Sequence, residues 1–195
     1  MALEHGLLAI RLPFNLGVGG AVRTGLHYAV DHGYDRVVIL DADGQHDAAD
    51  IPVLLRALDD GADLVIGSRF AGNPTEFRVG LLRRGAMRFL QWVVRTTTGL
   101  TLSDVTSGFR AANRQVVCLL ASMYPAEYLA DTVETILITH YAGYVVREVP
   151  VVMRPRVAGR PSNRSVKLVI NYLRLLTGIL SSAYRQSRPS RKEVR

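Results

Sequence analysis

Short apolar runs and longer amphipathic stretches alternate along the chain. β-branched or apolar runs that end at polar, glycine or proline residues predict strands over 7–12, 37–40 and 63–66, and an extended stretch that contains Pro150 predicts an edge strand over 144–153. Apolar positions at helical spacing predict helices over 20–32, 48–58, 79–97, 113–122 and 131–142. This alternation indicates an α/β domain with a mainly parallel sheet flanked by helices.

The C-terminal segment differs in composition from the rest of the chain. Residues 154–195 hold nine arginines and two lysines against a single acid, Glu193. An amphipathic, largely apolar helix is predicted over 165–182, followed by a basic tail, so we divide the chain into a domain, 1–164, and an appendage, 165–195. The appendage either lies on an anionic membrane surface or packs on the domain ahead of a disordered tail. Nucleic acid is not the expected partner, because aromatic residues do not interleave with the charges.

Composition excludes several classes of protein. With 48% hydrophobic and 21% charged residues, the chain is neither disordered nor fibrous. Its single cysteine excludes a disulfide scaffold and fits a reducing compartment. No apolar window is long enough to span a bilayer, and the N-terminus does not read as a secretory signal. We therefore expect a cytoplasmic protein, and the apolar helix with its basic tail would make it peripheral at the inner face of the cell membrane.

The strongest chemical signal follows the predicted strand 37–40. Asp41 and Asp43 stand two residues apart where a buried strand ends, so both carboxylates can turn toward one hard cation, and Gln45 can add a carbonyl oxygen. His46 is a further candidate for Mn²⁺. The alternative is that the aspartates only cap a turn and the helix that follows.

Several other stretches accompany this turn in a fixed order. Together with Val37–Gln45 they resemble the family 2 glycosyltransferases with the GT-A fold, a Rossmann-like architecture, and most closely the polyprenyl-phosphate hexose synthases of the dolichyl-phosphate mannose synthase type. The resemblance covers about residues 7–165, and the stretches are Asn15–Gly25, Gly67–Phe70, Asp104–Arg110, Glu148–Pro150 and Arg156–Ser162.

The resemblance implies roles on the donor side. Asp41 and Asp43 would bind Mg²⁺ or Mn²⁺ on the diphosphate of a nucleotide-sugar, with Gln45 as a third ligand. Arg69 would stabilise charge on the leaving nucleoside diphosphate, unless it is a surface ion-pair partner. The glycine-rich segment would let the backbone approach the donor, unless it serves tight packing between helix and strand. The implied donor-binding residues are Asn15, Gly17, Gly19, Asp41, Ser68 and Arg69.

The acceptor side is implied in the same way. A lipid phosphate is ionised near neutral pH, so orientation by arginines and the cation can suffice without a strong base. The implied acceptor-binding residues are Ser107, Arg110, Arg156 and Ser162. A sugar hydroxyl would instead need a carboxylate base, for which Asp131 and Glu134 are the candidates. Asp104 is expected to organise its loop. The catalytic set is thus Asp43, Arg69, Arg110 and Glu134.

One departure from the family pattern affects the whole interpretation. The family's first strands, which hold the nucleobase and ribose, have no counterpart here, so the sequence predicts an N-terminally truncated domain. Strand 37–40 would then expose an edge that favours self-association. Three explanations for the missing strands remain. They are a late start of the sequence, a decayed fragment, and an edge supplied by another chain. The alternative function is a non-catalytic remnant or interaction protein.

Overall fold

Four short strands and five α-helices make up the part of the chain that is described. The computed structural model describes residues 6–71, 81–124 and 130–154. In chain order the elements are α1 (Gly17–Asp31), β1 (Arg36–Ile39), a 3-10 turn (Ala48–Asp50), α2 (Ile51–Asp59), β2 (Leu64–Ser68), α3 (Leu81–Thr98), β3 (Arg110–Asn113), α4 (Arg114–Met123), α5 (Ala130–Tyr141) and β4 (Val146–Pro150). All five predicted helices are present, with ends shifted by a few residues.

The strands form one mixed sheet in the order β1-β3-β2-β4. β2 and β4 pair in parallel, and β3 is antiparallel to both β1 and β2. Three of the four strands therefore run in the same direction, as the alternation of strands and helices predicted. β3 was not predicted, because its sequence, Arg-Ala-Ala-Asn, contains no β-branched residue.

The register brings four chain segments to one edge of the sheet. Ile39 and Ile66 both lie opposite Arg110, and Ser68 lies opposite Pro150. The segments that follow β1, β2 and β4 therefore meet the segment that precedes β3. We call these segments, 40–47, 69–71, 103–109 and 151–154, the loop edge.

Apolar residues on both faces of the sheet hold the layers together. On one face, α2 packs on the sheet through a cluster of buried residues that includes its own side chains and continues under the loop edge. The cluster consists of Leu54, Ala57, Leu58, Ala62, Val65, Phe109, Ala111 and Val151. On the other face lie α4 and α5, with α1 against α4 and α3 against α5. Phe109 is fully buried, so the loop that precedes β3 is anchored in the core.

The strand predicted over 7–12 is wrong. Leu7, Leu8 and Ile10 are 62%, 68% and 47% exposed, and the segment has no strand geometry. β1 is an edge strand, and within the described residues no strand pairs with its outer side. A strand needs a neighbour that pairs with its backbone N–H and C=O groups. Since none is present there within the described residues, the apolar run 7–12 does not form a strand.

Some predictions fall outside the described residues. They are the boundary at residue 164, the helix over 165–182, the basic tail, Arg156 and Ser162. Among the helices that are described, none combines the length and the apolarity that a membrane span requires.

Truncating the buried aromatic should destabilise the domain far more than truncating an exposed one. We expect Phe109→Ala to lower the free energy of unfolding by about 3–5 kcal/mol, because it removes a fully buried side chain and leaves a cavity. Phe14 is 74% exposed, and Phe14→Ala should cost no more than about 0.5 kcal/mol. Urea denaturation followed by circular dichroism measures both. Equal losses would contradict the packing described here.

Candidate functional site

The turn that follows β1 carries the paired aspartates. Asp43 Oδ1 accepts the Gln45 N–H at 3.0 Å, and Gly44 takes a φ of 79°, a conformation that suits glycine. Asp47 caps the following 3-10 turn by accepting the Ala49 N–H. Of the two paired aspartates, Asp43 thus organises the local backbone, as the alternative interpretation held. This hydrogen bond does not prevent Asp43 from binding a cation, because one carboxylate has two oxygen atoms and several lone pairs.

His46 holds this turn from beneath. Its Nδ1 accepts the Asp41 N–H at 2.9 Å, and its ring stacks on Phe109 with centroids 5.0 Å apart. Nδ1 is therefore engaged with the backbone, so this nitrogen is not available to Mn²⁺. His46 also forms an isolated bridge with Met153, and Arg154 donates its N–H to the Gln45 carbonyl. The segment after β4 thereby fixes the aspartate turn.

The environment of His46 favours its neutral form. Burial is the main cause, and it lowers the pKa of His46 below its usual value of about 6.5. Nearby carboxylates oppose the shift and a guanidinium adds to it; these charges belong to Asp41, Asp43, Asp104 and Arg69. The His46 ring thus lies near charged groups from three segments of the loop edge, 40–47, 69–71 and 103–109.

The chemistry of the donor atoms in this turn suits a hard divalent cation. The carboxylates of Asp41 and Asp43 and the amide of Gln45 are oxygen ligands of the kind that Mg²⁺ and Mn²⁺ prefer. A Cβ atom at Gly108 would lie 3.3 Å from Asp41 Oδ2, so a side chain there would crowd the carboxylate. The described residues contain no group of three or more His, Cys, Asp or Glu side chains arranged for a metal.

A buried ion pair joins the end of β2 to the loop before β3. Arg69 Nε donates to Asp104 Oδ2 at 2.6 Å and Nη2 donates to Oδ1 at 2.9 Å, which is a bidentate arrangement. The side chains are 8% and 0% exposed. Arg69 is thus an ion-pair partner, but a buried one, and Asp104 organises its loop as expected. A contact between Arg69 and a diphosphate stays a prediction.

Glu148 is a residue of this site whose role the sequence did not show. From β4, its carboxylate accepts the N–H groups of Ser103 and Asp104 at 2.8 and 2.7 Å and the Ser103 hydroxyl at 3.0 Å. The Ser103 hydroxyl is also 2.8 Å from that of Ser68, which accepts the N–H groups of Phe70 and Ala71. A carboxylate within a half-buried strand was the available signal. The predicted donor residue Ser68 thus organises the segment after β2.

Ser107 and Arg110 lie together at the start of β3. The Ser107 hydroxyl donates to the Gly67 carbonyl at 2.6 Å. Arg110 is 5% exposed, and its guanidinium donates to the carbonyls of Ser107 and Val105 and to Thr135 on α5. Its side chain therefore fixes the backbone of the predicted acceptor loop. Glu134, next to Thr135, is half-buried, and the side chain of Asp131 is not described.

The glycine-rich segment lies at the start of α1. Asn15 Oδ1 accepts the Gly17 N–H at 2.9 Å, and Gly17 takes a φ of 72°. Gly19 is buried, and a Cβ at Gly20 would lie 2.4 Å from the Leu16 side chain. Within the described residues, no hydrogen bond or ion pair links this segment to the loop edge. The structure therefore brings the predicted residues from 41–45, 68–69 and 107–110 together, and does not join the glycine-rich segment to them.

This sheet, with paired aspartates at its loop edge, belongs to a known class of protein. The sequence profile of glycosyl transferase family 2 matches residues 1–119, and the chain belongs to this family. It is similar to glucosyl-3-phosphoglycerate synthase from Mycobacterium tuberculosis, solved with Mn²⁺, UDP-glucose and phosphoglyceric acid, with a TM-score of 0.57 at 20% identity over 82% of this chain and 56% of that one. The fold is thus GT-A-like.

The curated relatives also match over only part of their own length. UDP-N-acetylglucosamine–dolichyl-phosphate N-acetylglucosaminyltransferase of Methanococcus voltae is 32% identical over 147 residues, which is 74% of this chain and 58% of the relative. Polyprenol monophosphomannose synthase of Mycolicibacterium smegmatis is 35% identical over 101 residues, 52% of this chain and 38% of the relative. This chain therefore spans between about two fifths and three fifths of these relatives.

Breaking the buried ion pair should be costly, whereas breaking an exposed one should not. Arg69→Ala leaves the fully buried Asp104 carboxylate without its bidentate partner, and we expect a loss of about 3–5 kcal/mol in the free energy of unfolding. The exposed pair Arg36–Asp59 is the control, and Arg36→Ala should cost no more than about 1 kcal/mol. Adding Asp104→Asn to Arg69→Ala should restore part of the loss in urea denaturation. A cost at Arg69 as small as that at Arg36 would contradict this account.

The buried histidine should make stability depend on pH. Because the pKa of His46 is lower in the folded state, the unfolded chain binds more protons as pH falls below about 6.5. The contribution is fully present above that pH and is lost as pH falls toward the folded pKa. His46→Asn keeps an acceptor near Nδ1 but does not titrate. Unfolding free energies measured with EDTA should therefore fall more steeply with acidification in the wild type, and parallel profiles would refute the shift.

Proposed function

We propose that this chain catalyses the metal-dependent transfer of a hexose from a nucleotide-sugar to a polyprenyl phosphate or a similar acceptor. The observation that carries the proposal is the aspartate turn beside Gly108 at the loop edge of a family 2 chain. The names of similar proteins support the components. A relative is named for a UDP-sugar donor and dolichyl phosphate, and a solved neighbour was crystallised with Mn²⁺ and UDP-glucose.

On the donor side, Asp41 and Asp43 would hold the cation together with Gln45. When bound, the cation supplies positive charge that stabilises the leaving nucleoside diphosphate. The remaining residues keep this turn in place before substrate arrives. His46 holds the Asp41 N–H, and the strand bridge at Met153 holds the other side of the turn. Such preorganisation means that little of the binding free energy is spent on ordering the site.

On the acceptor side, the chain would orient an oxygen that is already ionised. A phosphate acceptor needs little help from a base, so the work of the protein is to place it. Arg110 fixes the backbone of 105–107, and we propose that Ser107 orients the acceptor on this loop. The proposed acceptor roles of Arg156 and Ser162, which lie outside the described residues, rest on the family resemblance alone. A glycan hydroxyl would instead require a base, and Glu134 on α5 is then our candidate.

The acceptor also suggests where the protein works. A polyprenyl phosphate resides in a membrane, so we propose a peripheral protein at the cytoplasmic face of that membrane. The basic segment 154–195 supports attraction to an anionic surface. Self-association through the outer edge of β1 stays a prediction.

Removing one carboxylate charge tests the proposed cation site. Asp43→Asn keeps an oxygen that can accept the Gln45 N–H, so the turn is expected to persist, but the charge is lost. We expect Mn²⁺ affinity, measured by electron paramagnetic resonance, to fall at least about tenfold, equivalent to roughly 1.4 kcal/mol. Asp47→Asn, in the same loop, is the matched control and should retain Mn²⁺ binding.

Thermal unfolding of the same proteins tests the donor. Mn²⁺ with the correct UDP- or GDP-sugar should stabilise the wild type by about 2.7 kcal/mol at a hundredfold excess over the dissociation constant, and should not stabilise Asp43→Asn. Equal Mn²⁺ affinity in the wild type and Asp43→Asn would refute the assigned ligand. If no nucleotide-sugar stabilises the wild type, the chain by itself is not a transferase.

A further inference from the structure

The outward face of α3 combines exposed arginines with exposed aromatic side chains. Arg84, Arg88, Trp92 and Arg95 follow one another at intervals of three or four residues, so they form one stripe along the helix, and all are exposed. Trp92 is 60% exposed, and Phe89 beside it is 37% exposed, with ring centroids 6.0 Å apart. We call these five residues the α3 outer face.

The charge on this helix is not balanced within it. α3 contains four arginines and no acidic residue, and its apolar residues Met87, Leu90, Val93 and Val94 are buried against the domain. A tryptophan among arginines is the combination found where a helix lies at a lipid headgroup layer. There the indole occupies the boundary between water and hydrocarbon and the guanidinium groups bind phosphates. The charge complementarity thus favours an anionic lipid surface as the partner.

The same helix is linked directly to the loop edge. The Gln91 side-chain amide donates to the Ser103 carbonyl, and the Ser103 hydroxyl is 2.8 Å from that of Ser68. Gln91 and Trp92 are consecutive in the helix, so they lie about 100° apart around its axis. Gln91 can therefore face the loop edge while Trp92 faces outward. A surface bound at the α3 outer face would lie at a fixed position relative to the site.

We propose that the α3 outer face binds an anionic lipid surface, with Trp92 inserted at the headgroup level and the arginines on phosphate groups. The inference deepens the proposed function and rests on it, since an acceptor embedded in a membrane must reach the loop edge from that surface. It concerns residues of α3 and makes no use of the basic segment 154–195.

Trp92 is the only tryptophan of the chain, so its fluorescence reports on this face alone. The experiment titrates the full chain with vesicles of equimolar phosphatidylglycerol and phosphatidylcholine, and with phosphatidylcholine alone. We expect a blue shift of Trp92 emission with the anionic vesicles and quenching when brominated lipids are included. If the protein co-sediments with the vesicles while Trp92 emission does not change, another segment binds the lipid and the proposal is overturned. Failure of the protein to bind the anionic vesicles would also overturn it.

A charge reversal adds a second measurement. Arg88→Glu should weaken binding to the anionic vesicles by roughly tenfold, because a basic residue near an anionic surface becomes a repelled one. Arg56→Glu on α2, also exposed, changes the net charge equally on the opposite side of the sheet and should have much less effect. Equal effects would show that only net charge matters and would overturn the proposal. Stabilisation by Mn²⁺ and nucleotide-sugars, measured without vesicles, reports separately on the proposed function.

Discussion

The buried ion pair between Arg69 and Asp104 is the constraint on which the loop edge depends. Both side chains have almost no contact with water, so separating them would leave buried charges that do not compensate each other, which is costly. The end of β2 and the loop before β3 are therefore held together. Glu148 adds a third element by binding the backbone of the same loop from β4. An ion pair and hydrogen bonds thus join three elements that are distant in the sequence.

The aspartate turn is attached to this unit through the core rather than through charges. Phe109 lies in the apolar cluster under α2 and supports the ring of His46, which in turn holds the Asp41 backbone. Gly108, next to Phe109, leaves room for the Asp41 carboxylate. Packing and hydrogen bonding therefore place the paired carboxylates in advance, which is the condition for stabilising charge that develops during a reaction.

The hydrogen bond between Gln91 and Ser103 connects the loop edge to the helix that carries the α3 outer face. A helix that carries exposed Trp92 and arginines on one side and packs on α5 with the other is coupled to the site by position alone. No conformational change is needed for a surface contact to orient the loop edge. This arrangement suits an acceptor that arrives from a surface rather than from solution.

The sequence by itself determined the family, the helices, β1 and β2, and the identity of the paired aspartates, because these depend on local periodicity and on residues adjacent in the chain. Tertiary structure alone decided the insertion of β3, the partners of Arg69 and Glu148, and the exposure of Leu7 and Leu8. Strand pairing and buried ion pairs join residues that are 35 or more positions apart. Their formation depends on which neighbouring strand is present and how much water is excluded, and neither is encoded in a local pattern.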